Sequence, residues 1–282
     1  MEVINRPDYT EKVKKLFGKG FIIALTGQRR VGKSFIMRQV IKELSQDSAA
    51  HVIYIDKDNE EFSFVQSHEE LTKYVKSNLL SNKRNYLFVD EIQNIKEFEV
   101  SLRSFHTNDE CEMVITGSNA KMLSSELSTY LSGRCVEYHI QSLDYREFLT
   151  FHRLSDNNQS LHSYLKYGGL PQLHRIGLEE TELVDDYLKS VYHTIVLKDV
   201  IEREEIRNVP LLKNLIRFVG DNVGKVFSAS SIVKYLKSQQ VDSSTRVILN
   251  YLEYLCNAYI INRVNRYDIH GKRLFELNDK FY

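Results

Sequence analysis

From Ile23 to Val40 the sequence reads IALTGQRRVGKSFIMRQV: an apolar run, a polar loop bracketed by Gly27 and Gly32, and an amphipathic stretch. No other feature constrains the fold as strongly. Phe21 to Thr26 reads as a buried strand, and Met37, Val40, Ile41 and Leu44 recur at helical spacing after Lys33. A strand thus feeds a helix through Gly27-x4-Gly32-Lys33-Ser34. Glycines let backbone N–H groups turn toward an anion, and the helix dipole favours one at its N-terminus. The loop fits a phosphate cradle of the Walker A pattern. Lys33 would reach the β and γ phosphates, and the Ser34 hydroxyl would bind Mg²⁺. The candidate nucleotide contacts are Gly27, Gln28, Arg29, Arg30, Val31, Gly32, Lys33, Ser34 and Phe35.

A second strand, YLFVDE (Tyr86 to Glu91), carries an acidic pair to its C-terminal end, where parallel sheets bind ligands. Asp90 would hold Mg²⁺ through water. Glu91 would polarise the attacking water as general base. The same pair could instead cap the adjoining helical segment. CEMVITGS (Cys111 to Ser118) is a further strand, ending in small polar residues. Beside Tyr86 to Glu91, it would place Ser118 or Asn119 by the γ-phosphate. Gly-Ser-Asn is also good turn chemistry. His51 to Asp56 and the shorter, more polar Cys135 to Ile140 complete about five strands. Ile95, Phe98, Leu102 and Phe105 mark an intervening helix. Alternation of strands and helices implies a parallel sheet covered on both faces.

After about Leu143 the pattern turns helical, with segments at Tyr145 to Phe151, Leu161 to Tyr167, Glu180 to Glu205 and Pro210 to Asn222. Residues 228–258 then read as two helices joined at Gln239 to Asp242, with Asp242 as the expected cap of the second. Residues 259–282 alternate like a hairpin around His270 and Gly271. That is a winged-helix pattern. Ser243, Ser244, Thr245, Arg246 and Asn250 could face a groove. Arg263, Arg266, His270, Lys272 and Arg273 would lie on the wing and suit phosphate contacts, while Glu253 opposes DNA. Winged helices also serve as protein-interaction or spacer modules. The division expected is 1–143 for a nucleotide-binding core, 144–207 for a helical lid and 208–282 for a winged helix.

The 282 residues suit roughly two domains. Lys plus Arg equals Asp plus Glu at 38 each, so no global field draws the chain to nucleic acid or anionic lipid. The 3 cysteines, Cys111, Cys135 and Cys256, fit no metal-ligand spacing and suggest buried thiols in a reducing compartment. No run approaches the ~18 apolar residues of a membrane span. The N-terminus lacks a signal-peptide apolar region. A cytoplasmic location without membrane contact is expected.

TGQRRVGKS, FVDEIQ, ITGSNAKML, LSGR, SLDYREFL and YLKYGGLP occur in this order. The set resembles bacterial and archaeal AAA+ ATPases related to the archaeal-ATPase and STAND groups. LSGR, LDYREFL and YGGLP are its more specific parts. The resemblance covers nearly the whole chain. It implies an AAA+ P-loop NTPase core, a helical lid, a winged helix, and ATP with Mg²⁺ as ligands. It also implies roles for four residues. Arg134, just before the fifth strand, matches an arginine finger that completes a neighbour's site through self-association; alternatively it closes a helix C-terminus. Pro171 of Gly169-Leu170-Pro171 would pack on adenine; alternatively Gly and Pro are a helix stop. Arg6 and Pro7 match a segment that lines the base pocket. Members usually continue past KFY into a nuclease-like domain, whereas this chain stops at Tyr282, as a truncated or natural short form. The function expected is slow ATP hydrolysis that switches lid and winged-helix positions. Its rivals are a non-catalytic, nucleotide-gated DNA-binding or regulatory module, and a DNA-processing ATPase lacking its nuclease-like part.

Overall fold

The computed structural model describes residues 4–118, 131, 133–264 and 279–282. The chain forms two compact units, Met1–Leu188 and Lys189–Tyr282.

The first unit holds five strands: β1 (Ile22–Thr26), β2 (Ala50–Asp56), β3 (Arg84–Asp90), β4 (Glu112–Gly117) and β5 (Cys135–His139). Their order is β2-β3-β4-β1-β5, and every pairing is parallel. Both faces are buried, so the central strands are continuous apolar runs rather than alternating ones. Ile22 and Ala24 of β1 join Leu87, Val89, Met113 and Ile115 on one face. Helices α3 (His68–Asn78) and α4 (Phe98–Thr107) cover that face with Leu71, Val75, Phe98, Leu102 and Phe105. Ile23 and Leu25 join Phe88 and Val114 on the other. There α1 (Pro7–Lys14) supplies Val13, and α2 (Lys33–Leu44) supplies Ile36, Met37 and Val40. The period of two along each strand meets the period of 3.6 along each helix, which closes the core on both sides. β5 pairs on one side only and is the less buried edge expected of it.

The helix marked by Ile95 starts later than expected. A 3₁₀ turn, Ile92–Asn94, comes after the acidic pair, and Ile95 is extended before α4. Beyond the sheet come α5 (Tyr145–His152), α6 (Asn158–Tyr167), the short α7 (Leu173–Ile176) and α8 (Thr181–Thr194). Asp144 opens α5 with a capping box closed by Glu147, and Asn157 caps α6. Gly169 locks the connection between α6 and α7 onto the exit of β5. Its carbonyl accepts from Leu143 N at 2.7 Å, and a Cβ there would stand 2.1 Å from the Leu143 carbonyl oxygen. Only glycine fits that approach.

The continuous helix expected over Glu180 to Glu205 changes character at its middle. α8 ends at Thr194, and Ile195–Glu202 is π-helical. The widened turns carry buried Asp199, paired with Arg203 at 3.3 Å.

The second unit continues with α9 (Val209–Asp221), β6 (Val226–Phe227), α10 (Ala229–Ser238), α11 (Thr245–Asn257), β7 (Arg263–Val264) and β8 (Asp279–Phe281). The three short strands pair antiparallel in the order β6-β8-β7. Leu212, Leu215, Ile232, Ile248, Leu252 and Leu255 fill its interior. Ser244, not Asp242, caps α11: its hydroxyl accepts from Val247 N at 3.3 Å. Ser243 and Ser244 therefore precede the helix. The expected wing residues Arg266, His270, Gly271, Lys272 and Arg273 lie outside the described residues.

Candidate nucleotide site

The loop after β1 is shaped by two glycines. Gly27 has φ 136°, and a Cβ on it would meet the Ile140 carbonyl oxygen at 2.2 Å. Gly32 has φ 100° and is the N-cap of α2. It offers no side chain to satisfy the first N–H groups of the helix, so these remain for an anion. Within the loop Lys33 is buried, and its Nζ donates to the Gly27 carbonyl at 2.9 Å and the Gln28 carbonyl at 3.0 Å. Arg29, Val31, Ser34 and Phe35 complete the loop and the first turn of α2, and Arg30 adopts a left-handed conformation at φ 69°.

The register of the sheet brings three strand ends beside this loop. β3 pairs with β4, and β4 pairs with β1. Asp90, Glu91, Thr116 and Ser118 all gather there, each buried. The Thr116 hydroxyl donates to Asp90 Oδ1, and Glu91 N donates to Thr116 Oγ1 at 2.9 Å. Asp90 also bonds the Ser34 hydroxyl. Burial, above all, pushes the Asp90 carboxyl upward, and the Glu91 and Asp56 carboxylates add to that rise. A buried carboxylate linked to a hydroxyl, crowded by other carboxylates, is a hard oxygen set that suits Mg²⁺. Ser34 and Asp90 are the residues that would hold it. No group of three or more His, Cys, Asp or Glu suited to a metal ion occurs among the described residues.

Glu91 adopts a left-handed conformation, φ 53° and ψ 52°, where β3 turns into the 3₁₀ segment. Its side chain is held by Gln93, whose Nε2 donates to Glu91 Oε2 and to Ser118 Oγ, the latter at 3.3 Å. The carboxylate must accept, which fixes the amide nitrogen toward it. Gln93 Oε1 is then buried without a partner. Spacing does not single out Gln93, although it is the last letter of FVDEIQ. Ser118 is thus placed beside the proposed base, and Asn119 lies outside the described residues.

The remaining expected contacts separate. Pro171 comes to the loop: its Cγ stands 3.8 Å from a Cβ built on Gly32. Pro7 is the first residue of α1. Arg6 is buried and directed at protein acceptors: Glu147 bidentately at 2.8 Å, Val31 O at 3.1 Å and Gln141 O at 3.0 Å. Arg134 is exposed, and its carbonyl accepts from Ile22 N at the start of β1. It therefore lies at the end of the sheet opposite the loop after Thr26. Five strand residues at about 3.3 Å each separate the two ends. Arg134 stands too far from its own loop to touch a phosphate there.

Residues 19–149 match the model of an AAA domain, and residues 158–282 match a Domain of unknown function (DUF8612). An uncharacterized protein of Haemophilus influenzae is 32% identical over 289 residues, covering 99% of this chain and 71% of its own length. Uncharacterized protein MJ1544 of Methanocaldococcus jannaschii is 29% identical over 266 residues, covering 90% of this chain and 58% of its own length. Among solved structures, the Aeropyrum pernix ORC1 protein in complex with DNA aligns over 100% of this chain and 90% of its own, at 13% identity and a TM-score of 0.45. That likeness is too weak to bear on function. No described helix is long and apolar enough to cross a membrane.

Proposed function

This chain belongs to the same family as its Haemophilus influenzae relative and matches an AAA domain over residues 19–149, and from that premise we propose that it hydrolyses Mg-ATP and uses the nucleotide state to set its C-terminal parts. The observation that carries this reading is the cluster of buried Lys33, Asp90, Glu91 and Ser118 around a glycine-framed helix N-terminus. In this reading the loop N–H groups and Lys33 hold the phosphates, with Lys33 exchanging the Gly27 and Gln28 carbonyls for phosphate oxygens. Mg²⁺, when bound, supplies neutralisation of phosphate charge. Glu91 accepts the proton of the attacking water, while Gln93, which also donates to Ser118 Oγ, fixes its carboxylate. Pro171, beside Gly32, packs on the adenine. Arg134, unable to reach its own loop, completes the site of a second copy.

In the same reading the chain divides into core (1–143), lid (144–207) and winged helix (208–282), with the lid crossing the boundary between the two compact units after Leu188. The helix pair α10–α11 and the antiparallel β6-β8-β7 sheet support the last of these. Steady-state ATP turnover against protein concentration tests the whole reading. Specific activity rises with concentration in the parent and is absent in Lys33→Ala, which loses nucleotide binding. Arg134→Ala binds Mg-ATP but loses the rise, and mixing it with Glu91→Gln restores part of the activity. Binding of Mg-ATP without turnover at any concentration would make the chain a nucleotide-gated module instead. Added duplex DNA that raises turnover would make the winged helix its sensor.

A further inference from the structure

Arg6 lies far from the phosphate loop in sequence, yet its guanidinium reaches the loop backbone. Nη1 donates to the Val31 carbonyl at 3.1 Å and to the Gln141 carbonyl at 3.0 Å. Nε and Nη2 grip both oxygens of Glu147 at 2.8 Å. The arginine is 4% exposed and Glu147 is 27% exposed, so the fork is largely shielded from water. Glu147 Oε2 also accepts from Asp144 N at 3.1 Å, which ties the same carboxylate to the start of α5.

The Val31 carbonyl matters because it shares a peptide unit with the Gly32 N–H. In a trans peptide the C=O and N–H point in opposite directions. Holding Val31 O from the Arg6 side therefore turns the Gly32 N–H away from Arg6. Gly32 stands at φ 100° and carries no Cβ, so the glycine side of this peptide sets no steric preference between its two orientations. In the other orientation a carbonyl would replace an N–H at the edge of an anion site and repel phosphate. An arginine suits the task better than a lysine. Its planar fork satisfies a carboxylate and two carbonyls at fixed angles, whereas an ammonium has one small charge to place.

We propose that Arg6 is the positioning residue of the phosphate loop, pinning the Val31 carbonyl so that the Gly32 N–H is presented to phosphate, with Glu147 holding the guanidinium in place. This rests on the nucleotide reading above. It replaces a base contact for Arg6 with a role in preparing the loop and joins that loop to α5.

The test is isothermal titration of the full chain with Mg-ADP and with inorganic pyrophosphate, alongside thermal unfolding without ligand. Arg6→Gln is expected to raise both Kd values by the same factor, roughly tenfold, the scale of one charge-assisted hydrogen bond. Arg6→Lys gives no rescue. Glu147→Gln keeps a capping residue at the start of α5 and raises both Kd values by roughly threefold. The double variant binds no worse than Arg6→Gln, because Glu147 acts through Arg6. A purely structural role would lower the melting temperature and leave both Kd values at the parent's. Parent-like binding by Arg6→Gln, parent-like binding by Arg6→Lys, or full additivity in the double variant overturns the proposal. If Arg6→Gln does not fold, Arg6→Lys and Glu147→Gln decide by the same criteria. A parent that binds neither ligand defeats the nucleotide reading itself, and this inference with it.

Discussion

The strand ends of the first unit and the interior of the second are both buried, but by different chemistry. At the first, Lys33, Asp90, Glu91, Thr116 and Ser118 are withdrawn from water together. In the second, the described interior is built mainly from leucine, isoleucine, valine and phenylalanine, with Ala229, Ala258 and Tyr251, and its buried charge is Asp199, paired with Arg203. Burying a polar group costs free energy that only its partners can offset. The first region accepts that cost several times over, and Gln93 Oε1 stays unpaired there. A stable core gains nothing from such an arrangement, whereas a site that must meet a charged ligand does. Among its described residues the second region holds no comparable cluster of buried charged and polar side chains.

The widest effect expected from this contrast falls on Glu91. Glu91→Gln changes one atom and should leave stability and Mg-ATP binding near the parent's. Turnover should fall by about 10² to 10⁴, the usual worth of a general base. Single-turnover kinetics with a parallel binding measurement checks this. Undiminished turnover would reduce Glu91 to a turn residue and remove the contrast between the regions.

The converse change is Leu252→Ala in the second unit. Leu252 is buried on α11, so its truncation should destabilise that unit by about 2–5 kcal/mol, leaving a cavity in an apolar interior. Mg-ADP affinity should not move. Chemical denaturation monitored with and without nucleotide separates the two readouts. A large loss of affinity would show that the interior of the second unit also serves the site.

A smaller effect sharpens the account of the strand ends. Gln93 touches Glu91 and Ser118 through one amide nitrogen. Gln93→Ala frees the Glu91 carboxylate without removing it, so kcat should drop roughly tenfold with Kd for Mg-ATP unchanged, well short of the loss expected for Glu91→Gln. Equal losses in the two variants would make Gln93 a direct participant.

These residues also mark how far sequence reasoning reaches. The five strands are legible because parallel strands buried on both faces leave unbroken apolar runs. The phosphate loop is legible because glycine spacing and an adjoining helix recur together. Gln93 is not, since nothing in spacing reveals which way a side chain leaves a 3₁₀ turn. Arg6 draws notice for its place before β1, but its partners at Gln141 and Glu147 are brought near only by the fold. At the start of α11 both Asp242 and Ser244 are good caps. The choice falls to Ser244 because the helix starts at Thr245, which puts the free Val247 N–H three residues from its hydroxyl.

The smallest effect concerns acid. His152 ends α5, its ring tilted 42° against that of Phe148 with centroids 4.3 Å apart, and its Nε2 is buried without a partner. Burial, with His174 nearby, lowers its pKa from 6.5 to about 4, and Glu179 opposes only part of that shift. Between those values the unfolded chain binds a proton that the folded chain does not. Stability therefore rises with pH across this window and is lost as pH falls from about 6.5 toward 4. The ring is only partly shielded, so the loss should be on the order of 1–2 kcal/mol, below the value that full burial would give. His152→Phe keeps an aromatic ring against Phe148 and removes the titrating nitrogen. Thermal unfolding at pH 7 and pH 4.5 should show a smaller acid-induced drop in this variant than in the parent. Nucleotide affinity at pH 7 should be equal in the two, since His152 lies among the residues that pack α5 and not at the strand ends. An identical acid response would mean that His152 protonates equally well in the folded and unfolded chains.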